Sequence, residues 1–73
     1  MDQNKIIGSN IKKARKVLEY TQEQFSAQLQ IAGCDISRGT LAKIEVGIRE
    51  LKINELPVFL NLLKINLSDL YKK

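Results

Sequence analysis

Potential helix N-cap residues divide this chain into short segments, and that division constrains the fold more than any other feature of the sequence. Side chains of Ser, Thr and Asn can accept a hydrogen bond from a backbone amide in the first turn of a helix. The candidates are Asn4, Thr21, Ser37, Asn54 and Asn66. Apolar residues follow each candidate at helical spacing, and no segment alternates between apolar and polar residues as a strand does. We therefore predict an all-α fold of five short helices.

The first segment predicts a helix that begins after an Asn4 cap and runs to about Glu19. Its apolar residues recur with a helical period and form one stripe: Ile7, Ile11, Ala14 and Leu18. The lysines that lie away from this stripe are those of a solvated helix face: Lys12, Lys13 and Lys16. Gly8 should weaken the first turns by up to about 1 kcal/mol relative to alanine.

The second helix has the strongest local signature in the sequence, a capping box formed by Thr21 and Gln24. In such a box the threonine side chain accepts from the third helical amide, while the glutamine reaches back to the amide of the cap. Tyr20 before the cap and Phe25 in the first turn suit a hydrophobic staple, so we expect both aromatic rings in the core. The helix should end near residues 30–32, and residues 33–35 predict a turn.

The stretch from Ser37 to Gly47 predicts a short third helix, which Ser37 caps and Gly47 ends. Leu41 and Ile44 give this helix a narrow apolar stripe. The opposite face carries small or basic residues: Gly39, Lys43 and Val46. The sequence therefore predicts a helix with a thin buried edge and a basic outer surface.

The last third of the chain predicts two more helices. Asn54 can cap the fourth, and Pro57 at its third helical position costs little because the missing N–H lies in the first turn. Asn66 can cap a fifth helix of barely two turns. Leu67 and Tyr71 give that helix more apolar surface than so short an element can bury by itself.

The composition excludes several classes of function. A length of 73 residues predicts a single domain, residues 1–73. The chain has no histidine and one cysteine, so we expect no disulfide framework, no metal or cofactor, and no enzyme. No apolar run approaches the roughly 18 residues of a membrane span, and the N-terminus is polar, so we expect a cytoplasmic protein that does not bind membranes. A net charge of +4 moderately favours an anionic partner.

Residues 21–29 read Thr-Gln-Glu-Gln-Phe-Ser-x-x-Leu, and residues 36–49 read Ile-Ser-Arg-Gly-Thr-Leu-Ala-Lys-Ile-Glu-x-Gly-x-Arg. These segments resemble the helix-turn-helix of the XRE family, the relatives of the Cro and lambda-type phage repressors. Family members typically read Leu-Ser-Gln-Glu-Glu-Leu-Ala and Val-Ser-Arg-Ser-Thr-Ile-Ser-Arg-Ile-Glu-Arg-Gly-Lys-Arg at these places. Residues 54–56 and 63–70 are similar to the closing helices of the family, so the resemblance covers nearly the whole chain.

The resemblance implies a compact five-helix lambda-repressor-like domain in which the second and third helices form the helix-turn-helix. The third helix would enter the major groove of DNA, which is about 12 Å wide and carries the base-edge code. Its base-reading residues would be Arg38, Gly39, Thr40 and Lys43. The residues that hold DNA phosphates would be Thr21, Gln22, Arg49 and Lys52. The family also implies an ion pair between Arg15 and Glu45, the alternative being that Arg15 belongs to the basic face.

This sequence departs from the family pattern at three places. Six residues, from Gln30 to Asp35, join the two segments where the family has about one, so we expect an extended helix end or a longer loop. Gly39 stands where the family has serine or glutamine, which removes one base-reading side chain and lets the backbone approach DNA. Val46 stands where the family often has a polar residue.

The function implied is that of a sequence-specific double-stranded DNA-binding transcription regulator, which acts as a repressor by occupying an operator. The alternative is a helical protein-interaction module without DNA specificity of its own. Such a module would depend on Leu67, Leu70 and Tyr71 rather than on Arg38 and Lys43. RNA binding is disfavoured because the chain lacks exposed aromatic side chains for base stacking. We expect no small-molecule effector.

A weak homodimer on DNA is also expected, because many members of the family pair through the C-terminal region. Leu67 and Tyr71 are the candidates for the interface, with Phe59 and Pro57 nearby. The alternative is that all these side chains cover the open end of the core, since exposed apolar residues are common.

Overall fold

The computed structural model describes residues 2–73, which form α-helices joined by turns and short loops. The helices are α1 (Gln3–Val17), α2 (Gln22–Ile31), α3 (Arg38–Glu45), α4 (Leu56–Leu63) and α5 (Leu67–Leu70). Within residues 2–73 there is no strand. The predicted all-α fold is therefore confirmed. The longest helix has 15 residues, and none of the helices described here is long and apolar enough to cross a membrane.

The N-caps of α2, α3 and α5 are those that the sequence predicts. Thr21 and Gln24 form the capping box, and the Tyr20 and Phe25 rings that flank it lie with their centroids 6.0 Å apart. The Ser37 hydroxyl accepts from the amide of Thr40 at 3.2 Å. Asn66 forms a second capping box, with Asp69.

The predicted caps of α1 and α4 are wrong. The carboxylate of Asp2 accepts from the Asn4 amide at 2.9 Å, so α1 begins two residues before the predicted point and Asn4 lies inside it. α4 begins after Glu55, whose carboxylate pairs with Arg49 and makes no cap hydrogen bond. Asn54 belongs to the preceding turn, in which the Lys52 carbonyl accepts from the amide of Glu55 at 2.9 Å.

Left-handed residues end the first four helices. Glu19 has φ 62° and Lys64 has φ 58°, while Gly33 and Gly47 have φ 86° and 84°. After α3 the Ile48 amide donates to the Lys43 carbonyl at 2.9 Å, which is the long hydrogen bond of a Schellman motif. The early left-handed turn at Glu19 also explains why α1 stops at Val17 instead of continuing to Glu19.

The core lies where α1, α2, α3 and α4 meet, and α5 closes one end of it. Its fully buried side chains are Phe25, Phe59, Ile11, Leu29, Ile36, Leu41, Ile44 and Leu70. The rings of Phe25 and Phe59 pack edge to face with centroids 5.7 Å apart. Phe59 is 0% exposed, so its predicted place at a dimer interface is wrong: the side chain faces inward from α4.

The long connection between α2 and α3 has both of the predicted features, an extended end of α2 and a longer loop. α2 continues to Ile31, and Gly33 then turns the chain. Cys34 and Ile36 are buried, which anchors the connection in the core before Ser37 starts α3. The Gln30 side chain also donates to the Ile36 carbonyl at 3.3 Å, so the end of α2 is tied directly to the start of α3.

Candidate nucleic-acid interface

The two faces of α3 differ as the sequence predicts. Leu41 and Ile44 are buried against the rest of the fold, whereas Arg38, Gly39 and Lys43 are exposed. A Cβ added at Gly39 would meet no atom within 4 Å, so the surface around this backbone is open. Three of the four base-reading candidates are therefore accessible to solvent.

Thr40, the fourth of these candidates, is half-buried and takes part in the cap of α3. The hydroxyl of Ser37 donates to the Thr40 hydroxyl oxygen at 3.1 Å, while the Thr40 amide donates to Ser37. A base or phosphate contact from Thr40 stays a prediction. Such a contact would use the hydroxyl proton of Thr40, which neither of these two hydrogen bonds uses.

An open concavity of about 540 Å³ lies between the start of α2 and the start of α3. Its lining residues are Lys12, Arg15, Thr21, Gln22, Glu23 and Arg38. The fold thus places Arg38, a base-reading candidate, beside Thr21 and Gln22, both phosphate candidates. Lys12 and Arg38 give the concavity two exposed positive charges, and Glu23 is the only acidic residue among those that line it.

Lys12 is a residue of this surface that the sequence reasoning placed on a solvated face. It comes from α1 and lines the concavity together with Arg38 of α3. Its spacing of three residues from Arg15 puts the two side chains on neighbouring positions of α1. That spacing is the signal that could have assigned Lys12, once Arg15 was expected to contact α3.

The N-terminus of α2 offers backbone donors to this concavity. In the capping box the Thr21 amide donates to Gln24 at 2.9 Å and the Gln24 amide donates to Thr21 at 3.0 Å. The first amides of a helix have no partner within the helix, and the box leaves those of Gln22 and Glu23. Donors of this kind, at the positive end of the helix dipole, bind anions such as phosphate.

The ion pair between Arg15 and Glu45 is present and joins α1 to the last turn of α3. Arg15 Nε donates to Glu45 Oε2 at 2.7 Å, and Arg15 Nη2 donates to Oε1 at 3.1 Å. Both residues are only 5% exposed. The remaining guanidinium nitrogen donates to the Tyr20 carbonyl, and the Gln22 side chain donates to Glu45 at 3.0 Å, so each guanidinium nitrogen and each carboxylate oxygen of the pair has a hydrogen-bond partner.

Gln22 therefore has a structural partner as well as a predicted DNA contact. One of its two side-chain N–H groups serves Glu45, which links α2 to the same carboxylate that holds α1 to α3. The second N–H group can still donate to a phosphate. The phosphate role of Gln22 stays a prediction.

Arg49 forms an ion pair that the sequence reasoning did not include. Its two terminal nitrogens donate to the Glu55 carboxylate at 2.6 and 2.8 Å. The hydrogen bonds from Arg49 hold the pKa of Glu55 below its ordinary value, and they raise the pKa of Arg49. The positive charge offered to a phosphate is thereby partly neutralised, whereas Lys52, also a phosphate candidate, is exposed.

The predicted dimer residues of the C-terminal end are partly accessible. Leu67 is 48% exposed and Tyr71 is 43% exposed, and Pro57 is exposed as well. Leu70 between them is fully buried. The Asn10 side chain donates to the carbonyls of Leu70 and Lys72, each at 2.7 Å, and so holds this end of the chain against α1.

Among residues 2–73, no three His, Cys, Asp or Glu side chains are grouped as metal ligands are. The single cysteine, Cys34, is buried, and burial raises the pKa of its thiol, with the Glu55 charge as a further cause. A raised pKa keeps the thiol protonated at neutral pH. Cys34 therefore packs as a small apolar residue.

Residues 11–70 match the family model described as helix-turn-helix, and the match covers most of the chain. The protein belongs to the helix-turn-helix family, of the XRE type. It is therefore a DNA-binding helix-turn-helix regulator, and its family binds double-stranded DNA. No curated protein and no solved structure matches the chain.

Proposed function

We propose that this protein is a sequence-specific transcription regulator that inserts α3 into the major groove of double-stranded DNA and represses transcription by occupying an operator. The observation that carries the proposal is the concavity that brings Arg38 of α3 beside the start of α2, together with the exposure of Gly39 and Lys43 on the same helix. The buried ion pair of Arg15 and Glu45 supports it, because that pair fixes the last turn of α3 to the rest of the fold.

On this proposal α3 reads bases from its first turn. A guanidinium can donate two hydrogen bonds to O6 and N7 of guanine, and we expect Arg38, which is exposed in the first turn of α3, to make such a contact. Gly39 lets the backbone come close to the base edges, since no side chain intervenes there. Lys43, one turn further on, donates to a base or to a phosphate.

The start of α2 holds the DNA backbone at the same time. The free amides of Gln22 and Glu23 and the hydroxyl of Thr21 donate to one phosphate. Lys12 and Lys52 add positive charge at phosphates on either side. Arg49 contributes less than a free arginine would, because Glu55 already accepts from its guanidinium.

Selection from a random pool of duplexes tests the specificity and identifies an operator. Arg38→Ala should then weaken binding to the selected sequence by about 1–3 kcal/mol and relax the preference at one base pair. Lys64→Asn is the matched control, since it removes one positive charge at the left-handed end of α4, where asparagine is tolerated. Equal affinity of Arg38→Ala and the parent would contradict the role of Arg38.

The same measurements separate the alternative, a helical module that binds other proteins. A pool that yields no preferred sequence, with binding that depends on Leu67 and Tyr71 and not on Arg38 and Lys43, would favour the module. A reporter gene with the selected site at its promoter tests repression. Higher expression in the presence of the protein would contradict the repressor role but not the DNA binding.

A further inference from the structure

The helices α1 and α3 cross at a point where α1 has no side chain. Gly8 is buried there. A Cβ added to Gly8 would overlap the carbonyl oxygen of Ile44, and it would lie 2.6 Å from the carbonyl oxygen of Glu45. These are backbone atoms of the last turn of α3, so no rotation of a flexible side chain could relieve the overlap.

A second glycine, which follows α3, lies close to the backbone of α1. A Cβ added to Gly47, two residues beyond the end of α3, would lie 2.7 Å from Cγ and 2.9 Å from both Cα and N of Lys5 in α1. The left-handed φ of 84° at Gly47 also favours glycine. The two helices therefore approach each other through two positions without side chains.

The carboxyl end of α3 is thus fixed to α1 at three places: Lys5, Gly8 and Arg15. Along α1 these span about 15 Å at a rise of 1.5 Å per residue. The contact at Gly8 sets the distance between the helices, while the ion pair of Arg15 and Glu45 sets their alignment. A side chain at position 8 would have to move the last turn of α3 as a unit, because packed elements transmit such displacements.

We infer that Gly8 is a positioning residue for DNA recognition: the close approach that it permits sets where Arg38 and Lys43 of α3 lie relative to the phosphate-binding start of α2. The inference rests on the proposed insertion of α3 into the major groove. Gly8 is buried and acts only through the backbone of Ile44 and Glu45. Substitution of Gly8 should therefore change the sequence preference without removing any contact between residue 8 and DNA.

Two opposing effects, helix propensity and steric overlap, decide how Gly8→Ala changes the free energy of unfolding. Alanine is a much better helix former than glycine, so the substitution would stabilise α1 if space were available. The overlap with Ile44 opposes this and must displace α3 or lower stability.

The test is to select an operator with the parent protein and then to measure the affinity of each variant for the operator and for a scrambled duplex of the same length.

For Gly8→Ala we expect the ratio of operator affinity to scrambled-duplex affinity to fall about tenfold or more, the size of one lost base contact. The matched control is Leu63→Val, which destabilises the core from α4, where Leu63 is 2% exposed. Destabilisation alone lowers the folded fraction and reduces both affinities by the same factor, so the control should keep the ratio. Circular dichroism confirms that each variant is folded during the measurement.

Gly47→Asn is the second variant, because asparagine tolerates a left-handed φ and its Cβ overlaps α1 less severely than that of Gly8→Ala overlaps α3. A variant that is unfolded in buffer is measured in trimethylamine N-oxide, which favours the folded state. The inference is overturned if folded Gly8→Ala and Gly47→Asn keep the parent ratio, or if neither variant folds even in the osmolyte. A parent without any sequence preference would instead contradict the proposed function.

Discussion

At the scale of single residues, Lys12 is the side chain whose role changes most between sequence and structure. Its spacing on α1 is that of an ordinary solvated lysine, yet it lines the concavity at the start of α2 together with Arg38. Lys13, the next residue, lines a different groove, beside Lys72 and Lys73. The two lysines therefore form a natural pair for comparison, because both are exposed and carry the same charge.

We predict that Lys12→Ala weakens binding to all DNA sequences about equally, because phosphate contacts position the protein without reading bases. Loss of one phosphate contact should also flatten the plot of log affinity against log salt concentration by about one unit. Fluorescence anisotropy at several salt concentrations measures both effects. Lys13→Ala should leave the slope unchanged, and an equal change in the two variants would show that only net charge matters.

Residue roles that depend on which partner the folded chain brings close are the ones that could not be predicted from the sequence. The pair of Arg49 and Glu55 forms across the loop before α4, and nothing in the local pattern distinguishes Glu55 from Glu50 as the partner. The bond from Gln22 to Glu45 likewise requires the packed arrangement of α2 and α3. In contrast, the accessibility of Arg38 and Lys43 follows from helical spacing alone, because Leu41 and Ile44 fix the buried side.

At the scale of elements, the predictions succeed where a single local signal is present and fail where a second cap residue or a tertiary contact competes with it. The capping box at Thr21 is complete within four residues, and its position is correct. Asn54 has an equally good cap side chain, but Glu55 pairs with Arg49 and becomes the N-cap residue. α4 therefore begins one residue later than an Asn54 cap would give. The predicted cap at Asn4 is wrong because Asp2, also a good cap residue, caps α1 two residues earlier.

The element-scale contact that we expect to affect DNA binding most is the ion pair between α1 and α3. We predict that Glu45→Ala lowers the free energy of unfolding by about 3–5 kcal/mol, because the buried Arg15 then has no counter-charge. DNA binding should fall with it, since the last turn of α3 loses its link to α1 and Gln22 loses its partner. Chemical unfolding and an operator titration measure the two losses.

The double variant Arg15→Met with Glu45→Ala separates the ion pair from mere loss of packing. Methionine fills much of the arginine volume without a charge, and a buried pair replaced by apolar groups is often nearly neutral in stability. We therefore expect the double variant to be more stable than Glu45→Ala alone. Strictly additive losses in this double-mutant cycle would show that the two residues are not coupled.

At the scale of the whole molecule, size limits how much DNA one chain can read. The fold measures 32 × 22 × 22 Å, and a single α3 can occupy one stretch of major groove. Two recognition helices of a dimer on one face of DNA lie about 34–36 Å apart. Each chain has a single α3, so a full palindromic operator, with one half-site for each recognition helix, requires two copies.

We predict that two copies assemble weakly on such an operator through the C-terminal end, with Leu67 and Tyr71 at the interface and Pro57 beside them. Both side chains are nearly half exposed, and Leu70 between them is fully buried, so the backbone that presents them is anchored in the core. The hydrogen bonds from Asn10 to the carbonyls of Leu70 and Lys72 tie the same segment to α1. A preorganised apolar surface loses little conformational entropy when a second copy covers it.

Sedimentation with and without operator DNA measures the assembly, and the test variant carries Leu67→Glu and Tyr71→Glu. This variant should bind a full operator more weakly than the parent and bind a half-site equally well, because the charges disrupt pairing and leave α3 unchanged. Ile53→Glu is the matched control, since Ile53 is 88% exposed and lies outside the predicted interface. One chain per full operator, or full affinity of the double variant, would contradict the dimer but not the proposed DNA contacts of a single copy. Loss of pairing in Ile53→Glu alone would place the interface at the loop before α4.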